Sequence, residues 1–332
     1  MRAAIVGCGN IAAVHAASLE GRQEIVGFAD IIPERAQRFA DRCGGRAFAS
    51  LEELMEAEKP EVLHICTPHY LHVPMAEYGL AHGAHVFAEK PPAMNEKQWE
   101  SLERAAGCSE KRLGFCFQNR YNPSVLAVKR LLASGACGRL LGARGIVTWN
   151  RQAPYYTESG WRGSLEKEGG GALINQSIHT LDLLTEFLGR PVRVEADAAN
   201  HHLKGVIEVE DMLEAFIGYE GGQNAVFYAT TAYCDDRPPL IELSCEKATV
   251  RIEDLEVTCF WRDGRVEKPA LESKKALGKS YWGSGHQDCI ADFYRCCETG
   301  ERFLQDLDGV RNTMTLMFGA YRSAREGREI AL

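Results

Sequence analysis

The chain has 332 residues, 45% of them apolar, a length and composition typical of about two domains with sizeable cores. It contains 38 lysines and arginines against 46 aspartates and glutamates, a net charge of −8 with no basic run. This charge pattern argues against nucleic acid or an anionic membrane as a partner. No stretch is long and apolar enough to span a bilayer.

Cysteine and histidine spacings bear on compartment and metal binding. Met1-Arg2 leads directly into a strand-like segment, which leaves no room for a signal peptide. The 12 cysteines are scattered and form no CxxC pair, so the sequence predicts free thiols in a reducing cytoplasm. His69-x-x-His72 and His82-x-x-His85 lack the HExxH signature of zinc enzymes, and no metal is expected.

The first patterned segment is a predicted strand over 3–6, followed by Gly7-Cys8-Gly9-Asn10-Ile11-Ala12 and a helix over 13–19. This is G-x-G-x-x-A between a strand and a helix, as in dinucleotide-binding folds. Gly7 permits the tight turn, and Gly9 lets a pyrophosphate approach the backbone. Ala12 keeps the helix close to the strand, so that the helix N-terminus faces the phosphates.

Asp30 ends a second predicted strand, 24–29, about twenty residues past the glycines, where a ribose-binding carboxylate is expected. A carboxylate accepts hydrogen bonds from the ribose hydroxyls and repels a 2′-phosphate. Ile31-Ile32 supplies no cation, and the nearest guanidinium, Arg35, lies in the helix that Pro33 begins. The sequence therefore predicts NAD as the cofactor and disfavours NADP.

Strands and helices then alternate, which predicts a doubly wound parallel sheet. The predicted elements are helices over 51–57, 71–81 and 102–106 and strands over 62–66, 86–88 and 113–117. His15 and His64 lie inside elements and are expected to be structural. The strand over 86–88 stops at Glu89-Lys90, because Pro91-Pro92 prevents its continuation. Lys90 therefore lies where open α/β sheets bind ligands, unless it is a surface lysine in a turn.

The regular alternation of strands and helices ends after residue 118. The sequence predicts helices over 125–132, 172–188, 288–299 and 309–326, a strand over 140–149 and mainly strands over 192–266. We therefore expect a Rossmann domain over 1–118 and an α+β domain with a large, mainly antiparallel sheet over 119–332. The strand segment 224–232 has no clearly polar face, which predicts a homodimer or homotetramer formed through this sheet.

Taken together, these segments resemble the Gfo/Idh/MocA family, named for glucose–fructose oxidoreductase, inositol dehydrogenase and a rhizopine-catabolism protein. The resemblance rests on Gly7-x-Gly9-x-x-Ala12, Asp30, Cys66-Thr67-Pro68-x-x-x-His72, Glu89-Lys90-Pro91, Arg120-Tyr121-Asn122-Pro123, Trp161-Arg162, Gly169-Gly170-Gly171 and His179-x-x-Asp182. It implies a Rossmann domain followed by an α/β domain whose open sheet serves substrate binding and oligomerisation.

The resemblance also implies roles for single residues. Cofactor contacts are expected from Gly7, Gly9, Asn10, Ile11, Asp30, Cys66, Thr67, Pro68, His72, Glu89, Lys90, Trp161 and Arg162. Substrate contacts are expected from Arg120, Asn175, Asp182, Tyr281 and His286, with Asp182 orienting a neighbour. Many family dehydrogenases carry aspartate four residues before the histidine, whereas this chain has Asn175-Gln176-Ser177-Ile178-His179. The resemblance links such variants to family enzymes that act on glycosides and nucleotide sugars.

Alcohol oxidation needs a base that takes the hydroxyl proton as hydride leaves for the nicotinamide. His179 is the expected base, and Lys90 is expected to polarise or deprotonate the same oxygen. Residues 175, 179 and 182 have the i, i+4, i+7 spacing of one helix face. The leading hypothesis is an NAD(P)-dependent dehydrogenase of a sugar, glycoside, nucleotide sugar or cyclitol. The alternatives are redox-neutral cleavage or epimerisation through a keto-sugar, and a non-catalytic nucleotide-sensing regulator.

Overall fold

The computed structural model describes residues 1–274, 277 and 283–332, so the predicted substrate residue Tyr281 lies outside the described residues. The chain forms two compact units. The first contains Met1–Gln118 and Gly285–Gly309, and the second contains residues 119–274, residues 283–284 and Val310–Leu332. The division into domains over 1–118 and 119–332 stays a prediction, to which the packing adds that Gly285–Gly309 folds with the first unit.

The first unit is built on a six-stranded parallel sheet. Its strands are β1 (Arg2–Val6), β2 (Glu24–Ala29), β3 (Arg46–Phe48), β4 (Val62–Ile65), β5 (His85–Ala88) and β6 (Leu113–Phe115). Its helices in this part of the chain are α1 (Asn10–Leu19), α2 (Pro33–Cys43), α3 (Leu51–Glu58), α4 (His72–Ala81) and α5 (Glu96–Gly107). The strand order β3-β2-β1-β4-β5-β6 confirms the predicted doubly wound sheet.

Burial explains why these segments form the centre of the sheet. All four residues of β4 are buried, as are three of the four in β5, because helices cover both faces of a parallel sheet. Strand β3, which the sequence analysis did not predict, has three residues, and only Phe48 is buried. An edge strand this short carries too little apolar pattern to be recognised.

The second unit is built on a nine-stranded sheet. Its strands are β7 (Leu140–Thr148), β8 (Pro191–Ala199), β9 (Met212–Tyr219), β10 (Asn224–Thr230), β11 (Leu240–Cys245), β12 (Ala248–Glu253), β13 (Glu256–Trp261), β14 (Val266–Glu267) and β15 (Ile330–Ala331). The order is β14-β13-β12-β11-β7-β10-β9-β8-β15. Only the described pairing of β7 with β10 is parallel, which confirms the mainly antiparallel sheet.

The remaining helices are α6 (Pro123–Ala133), α7 (Ala153–Thr157), α8 (Leu165–Glu168), α9 (Ile178–Leu188), α10 (His286–Thr299) and α11 (Leu307–Glu326). Helix α9 packs on β7 and β11, and α6 packs on β12 and β13. In the first unit, α10 packs on α1 and β5. None of the described helices has the length and apolar character needed to cross a membrane.

The prediction of a continuous α-helix over 172–188 is wrong for its first third. Ala172–Ser177 forms a π-helix, and α9 begins at Ile178. The Ser177 hydroxyl donates to the Ala172 carbonyl five residues back, at 2.7 Å, which supports the wider turn. Asn175 therefore lies on the π-helix, whereas His179 and Asp182 lie on α9. The assumed single α-helical face through 175, 179 and 182 does not exist.

One face of the nine-stranded sheet exposes apolar side chains. In β10, Ala225, Phe227 and Ala229 are buried, whereas Val226 is 52% exposed. Val226 lies opposite Phe216 of β9, which is 40% exposed. The strand thus has a buried face and an exposed face that is apolar at its centre.

Candidate functional site

The predicted cofactor turn joins β1 to α1. Gly7 has φ +87°, and a Cβ there would lie 2.7 Å from the Cys66 carbonyl carbon, so only glycine fits. A Cβ at Gly9 would meet no atom within 4 Å, so the backbone is open on that side. No described side chain caps the N-terminus of α1. Its amide groups can therefore bind a pyrophosphate.

Asp30 closes the other side of this turn. Its carboxylate accepts hydrogen bonds from the backbone N–H of Cys8 at 2.7 Å and of Ile32 at 2.8 Å. The side chain of Ile31 is 89% exposed, and no described cation forms an ion pair with Asp30. This arrangement suits ribose hydroxyls better than a 2′-phosphate.

The turn after β4 is tied to the segment after β5. His72 is buried, and its Nδ1 and Nε2 lie 2.8 Å and 2.9 Å from the carbonyl oxygens of Pro91 and Thr67. Burial lowers the pKa of His72, so the neutral ring donates to one of these carbonyls at a time. Thr67 Oγ1 is buried without a hydrogen-bond partner among the described residues, so a bound cofactor could complete its hydrogen bonding. The residues present therefore fit a dinucleotide.

Glu89 begins a buried hydrogen-bonded chain of side chains. Its carboxylate lies 3.0 Å from His15 Nε2, and His15 Nδ1 lies 2.9 Å from His64 Nδ1. His64 Nε2 lies 2.9 Å from the Tyr294 hydroxyl. Burial alone would lower the pKa of His15, but hydrogen bonds to Cys116 and Glu89 outweigh it and raise that pKa to about 9. His15 is therefore an imidazolium that donates to Glu89 and to the neutral ring of His64.

The charge of His15 also affects the pKa values of Glu89 and His64. Burial opposes ionisation of Glu89, but the hydrogen bond from His15 outweighs it and lowers its pKa. Burial, and then the charge of His15, hold the pKa of His64 well below its ordinary value.

Potential ligand atoms of His15, Glu89 and Cys116 lie within 4.8 Å of one another. Burial raises the pKa of the Cys116 thiol, and a protonated thiol is a poor metal ligand.

Lys90 follows Glu89 at the carboxyl end of β5, is half-buried, and precedes Pro91 through a cis peptide bond. His286 opens α10 and is 2% exposed. Burial, with the nearby charges of His15 and Lys90, lowers the pKa of His286 to about 4 despite the opposing effect of Glu89. The first unit thus gathers Glu89, Lys90 and a neutral His286 in one electrostatic neighbourhood.

Arg120 and Asp182 form a buried ion pair in the second unit. Arg120 Nε and Nη2 donate to the two oxygens of Asp182 at 2.8 Å and 2.5 Å. Arg120 Nη1 also lies 2.9 Å from Glu186, and the Thr313 hydroxyl donates to Asp182 at 2.7 Å. Asp182 is 0% exposed, so it holds the guanidinium from the protein interior. The ion pair therefore fixes the position of the Arg120 guanidinium.

Two buried glutamates that the sequence analysis did not single out hold the segment around Asn175. Its amide nitrogen donates to Glu168, the last residue of α8, which also accepts from the backbone N–H of Gly163. Glu210 accepts from the backbone N–H groups of Gly171 and Leu173 and from the Tyr321 hydroxyl. The position of Glu168 directly before the glycine run was the available signal.

The remaining predicted residues also lie in the second unit. The Arg162 guanidinium lies over the rings of Tyr155 and Trp161, at 4.5 Å and 5.0 Å from their centroids. The Tyr155 hydroxyl accepts a hydrogen bond from Gln176, one residue after Asn175. His179 lies half-buried in the first turn of α9. The Trp161-Arg162 segment is thus linked to Gln176 through Tyr155 and to Asn175 through Glu168.

Comparisons with known proteins agree with this geometry. Residues 1–117 match the model of the oxidoreductase family with an NAD-binding Rossmann fold, and residues 125–251 match the GFO/IDH/MocA C-terminal domain. The chain belongs to the Gfo/Idh/MocA family. Its N-terminal part is an NAD-binding Rossmann domain, as predicted.

Several relatives have described activities. D-glucoside 3-dehydrogenase of Escherichia coli is 31% identical over 197 residues, which cover 58% of this chain and 55% of the relative. Inositol 2-dehydrogenase of Rhizobium meliloti is 24% identical over 344 residues, covering 100% of this chain and 99% of the relative. The alignment to the first of these therefore spans about half of its length.

The fold also matches solved structures over the whole chain. The WlbA dehydrogenase of Bordetella pertussis, in complex with NADH and UDP-GlcNAcA, is 28% identical with a TM-score of 0.86. That match covers 100% of this chain and 98% of the other.

Proposed function

We propose that the protein is an NAD-dependent dehydrogenase that oxidises a secondary hydroxyl, or reduces the corresponding ketone, of a sugar, glycoside, nucleotide sugar or cyclitol. One observation within the first unit carries the proposal. The turn after β4 touches Gly7 of the cofactor turn, and His72 joins that same turn to Pro91, directly after Lys90. These contacts support a role for Lys90 beside the dinucleotide cradle.

Each predicted residue then has a role in this chemistry. Gly7, Gly9, Asn10 and Ile11 would hold the pyrophosphate of NAD, and Asp30 would hold its ribose. Cys66, Thr67, Pro68, His72, Glu89, Trp161 and Arg162 would complete the cofactor site. When bound, NAD supplies a hydride acceptor. His179 would take the hydroxyl proton, and Lys90 would polarise the same oxygen or take the proton in its place. Proton transfer by such groups accelerates reactions by about 10²–10⁴-fold.

The substrate contacts follow the same reasoning. Asn175 would hydrogen-bond a sugar hydroxyl, because an amide can orient the substrate but cannot take its proton. Arg120, held in place by Asp182, and His286 would contact polar groups of the sugar, and Tyr281 remains part of this predicted set. Support for sugar-like substrates comes from the relatives, whose names cover glucosides, inositol and a complex with UDP-GlcNAcA.

A second candidate is redox-neutral chemistry on retained NAD. The 2,7-anhydro-N-acetylneuraminate hydratase of Mediterraneibacter gnavus is 27% identical over 237 residues, which cover 69% of this chain. In such a reaction the cofactor would oxidise a sugar carbon and later return the hydride, so no NADH would accumulate. This candidate keeps the same site residues and differs in whether the reduced cofactor leaves.

We also propose that the chain forms a homodimer or homotetramer through the nine-stranded sheet. The exposed Val226 and Phe216, which lie opposite each other on neighbouring strands, support this assembly, because contiguous exposed apolar side chains mark interaction surfaces. A cytoplasmic location is supported by the cysteines, which are all free and mostly buried.

The test of the main proposal is a panel of glucosides, inositols and nucleotide sugars offered with NAD. NADH absorbance is followed, sugar products are analysed, and denatured protein is assayed for released cofactor. Accumulation of NADH with at least one sugar supports the dehydrogenase. Altered sugar without NADH, together with cofactor released on denaturation, supports the redox-neutral reaction.

A further inference from the structure

Glu168 occupies a position between two parts of the proposed site. It ends the short helix α8 and is 1% exposed. One carboxylate oxygen accepts a hydrogen bond from the backbone N–H of Gly163, the residue directly after Trp161-Arg162. The other accepts from the side-chain amide nitrogen of Asn175. A single buried carboxylate therefore joins the predicted cofactor segment to the predicted substrate residue.

The chemistry of a carboxylate fixes which way the Asn175 amide faces. An ionised carboxylate only accepts hydrogen bonds, so Asn175 must turn its N–H₂ group toward Glu168. The amide carbonyl oxygen then lies on the other side of the planar group. Because a carbonyl accepts hydrogen bonds, this orientation suits a donating hydroxyl and disfavours a group that can only accept.

The surroundings of Glu168 make its charge state responsive near neutral pH. Burial raises the pKa of Glu168 to about 7, and the charge of Glu210 also raises it. The hydrogen bonds from Gly163 and Asn175 and the charge of Arg162 oppose this rise. Glu168 also interacts with the hydroxyls of Tyr156 and Tyr321, whose own pKa values burial raises. Both hydroxyls therefore stay neutral across the pH range in which Glu168 titrates.

The same surroundings explain why asparagine fits at position 175. An aspartate there would face the Glu168 carboxylate at hydrogen-bonding distance. Two carboxylates so close cannot both be ionised, and one must keep a proton. Asn175 removes the repulsion and supplies a donor instead.

We propose that Glu168 is a positioning residue that holds the Trp161-Arg162 segment and orients the Asn175 amide, so that its carbonyl oxygen receives a hydroxyl of the substrate. This inference rests on the proposed function for its substrate, and on the hydrogen bonds of Glu168 for its geometry. Glu168 acts through Asn175 and does not itself touch the sugar.

The kinetic test compares Glu168→Gln with wild type on a sugar that gives NADH. Glutamine keeps the shape but can donate through its own amide, so Asn175 is no longer forced to present its carbonyl. We expect the KM for the sugar to rise about tenfold, the loss expected for one hydrogen bond, with little change in kcat. The pH dependence of KM near 7 should disappear. Glu166→Gln, on the exposed side of α8, is the matched control and should behave as wild type.

A double-mutant cycle with Asn175→Ala separates positioning from a general structural effect. If Glu168 acts through Asn175, the double variant should have the KM of Asn175→Ala alone. Independent, multiplying effects of the two substitutions on KM would overturn the proposal, as would an unchanged pH profile of KM in Glu168→Gln.

A second measurement needs no substrate and so separates this inference from the proposed function. Infrared difference spectra should show a protonated carboxyl band that titrates near pH 7 in wild type and is absent in Glu168→Gln. Asn175→Ala should move that midpoint upward, because the hydrogen bond that favours the carboxylate is lost. A midpoint that does not respond to Asn175→Ala would overturn the coupling, whatever the substrate proves to be.

Discussion

The buried pair of Arg120 and Asp182 gives the most quantitative test of how the second unit is held together. We expect Asp182→Asn to remove the charge opposite a guanidinium that is 8% exposed. Breaking a buried ion pair from one side costs about 3–5 kcal/mol, since the other charge stays buried. Glu186 still lies 2.9 Å from Arg120 Nη1 and offsets part of this cost. The expected loss in the free energy of unfolding is therefore about 3 kcal/mol, at the lower end of that range.

Equilibrium urea unfolding measures this loss, with one transition fitted for each unit because multidomain chains need not unfold in a single step. Glu186→Gln is the matched control. Its side chain is 22% exposed, so its ion pairs are partly screened and removing them should cost about 1 kcal/mol or less. If Asp182→Asn loses no more stability than Glu186→Gln, the pair does not hold the unit as argued.

Three further predictions concern cofactor choice, pH and assembly. Asp30→Ser combined with Ile31→Arg should move the ratio of kcat/KM for NAD and NADP toward NADP, and a wild-type preference for NADP would contradict the role of Asp30. The folded-state pKa of Glu168 is raised from 4.5 to about 7, so its contribution to stability is present below pH 4.5 and lost as the pH rises to 7. Between pH 5 and pH 8, the free energy of unfolding measured with urea should therefore fall less for Glu168→Gln than for wild type. Light scattering should give a mass above 36.8 kDa for wild type and a lower mass for Val226→Lys, and a wild-type monomer at micromolar concentration would refute assembly through the sheet.

Local patterns explain what could be predicted from the sequence. Gly7, Gly9 and Asp30 belong to a motif whose spacing follows from one strand–turn–helix unit, so their places could be predicted without knowing the rest of the fold. Parallel strands such as β4 were recognised because both faces are buried and the run is wholly apolar.

Features that depend on contacts between distant segments could not be predicted from the sequence. His15, His64 and Tyr294 lie 49 and 230 residues apart along the chain, and no periodicity links them. Their places inside predicted elements mark His15 and His64 as structural, but no sequence pattern reveals the hydrogen bond that they share. The π-helix before α9 was missed because its residues have ordinary helical periodicity, and the Ser177 hydroxyl that supports the wide turn acts only once the turn exists.

The contact between Glu168 and Asn175 could not be predicted either, although the two residues are close in the sequence. Glu168 and Asn175 are seven residues apart, a spacing that two positions of a continuous helix could share. Here a glycine run separates α8 from the π-helix, and only the path of that run brings the two side chains together. The substitution of asparagine for the commoner aspartate was visible in the sequence, but its physical reason was not.

Turnover of NAD with the sugar found by the panel tests most directly the proposal that Lys90 and His179 move the substrate proton while hydride passes to NAD. Lys90→Met and His179→Ala should each lower kcat and kcat/KM by about 10²–10⁴-fold while leaving the Kd for NAD nearly unchanged. His179→Ala should also remove a titration from the pH–rate profile. Lys97→Met, an exposed lysine in the first turn of α5, should retain full activity. Near-normal turnover in both Lys90→Met and His179→Ala would contradict the account.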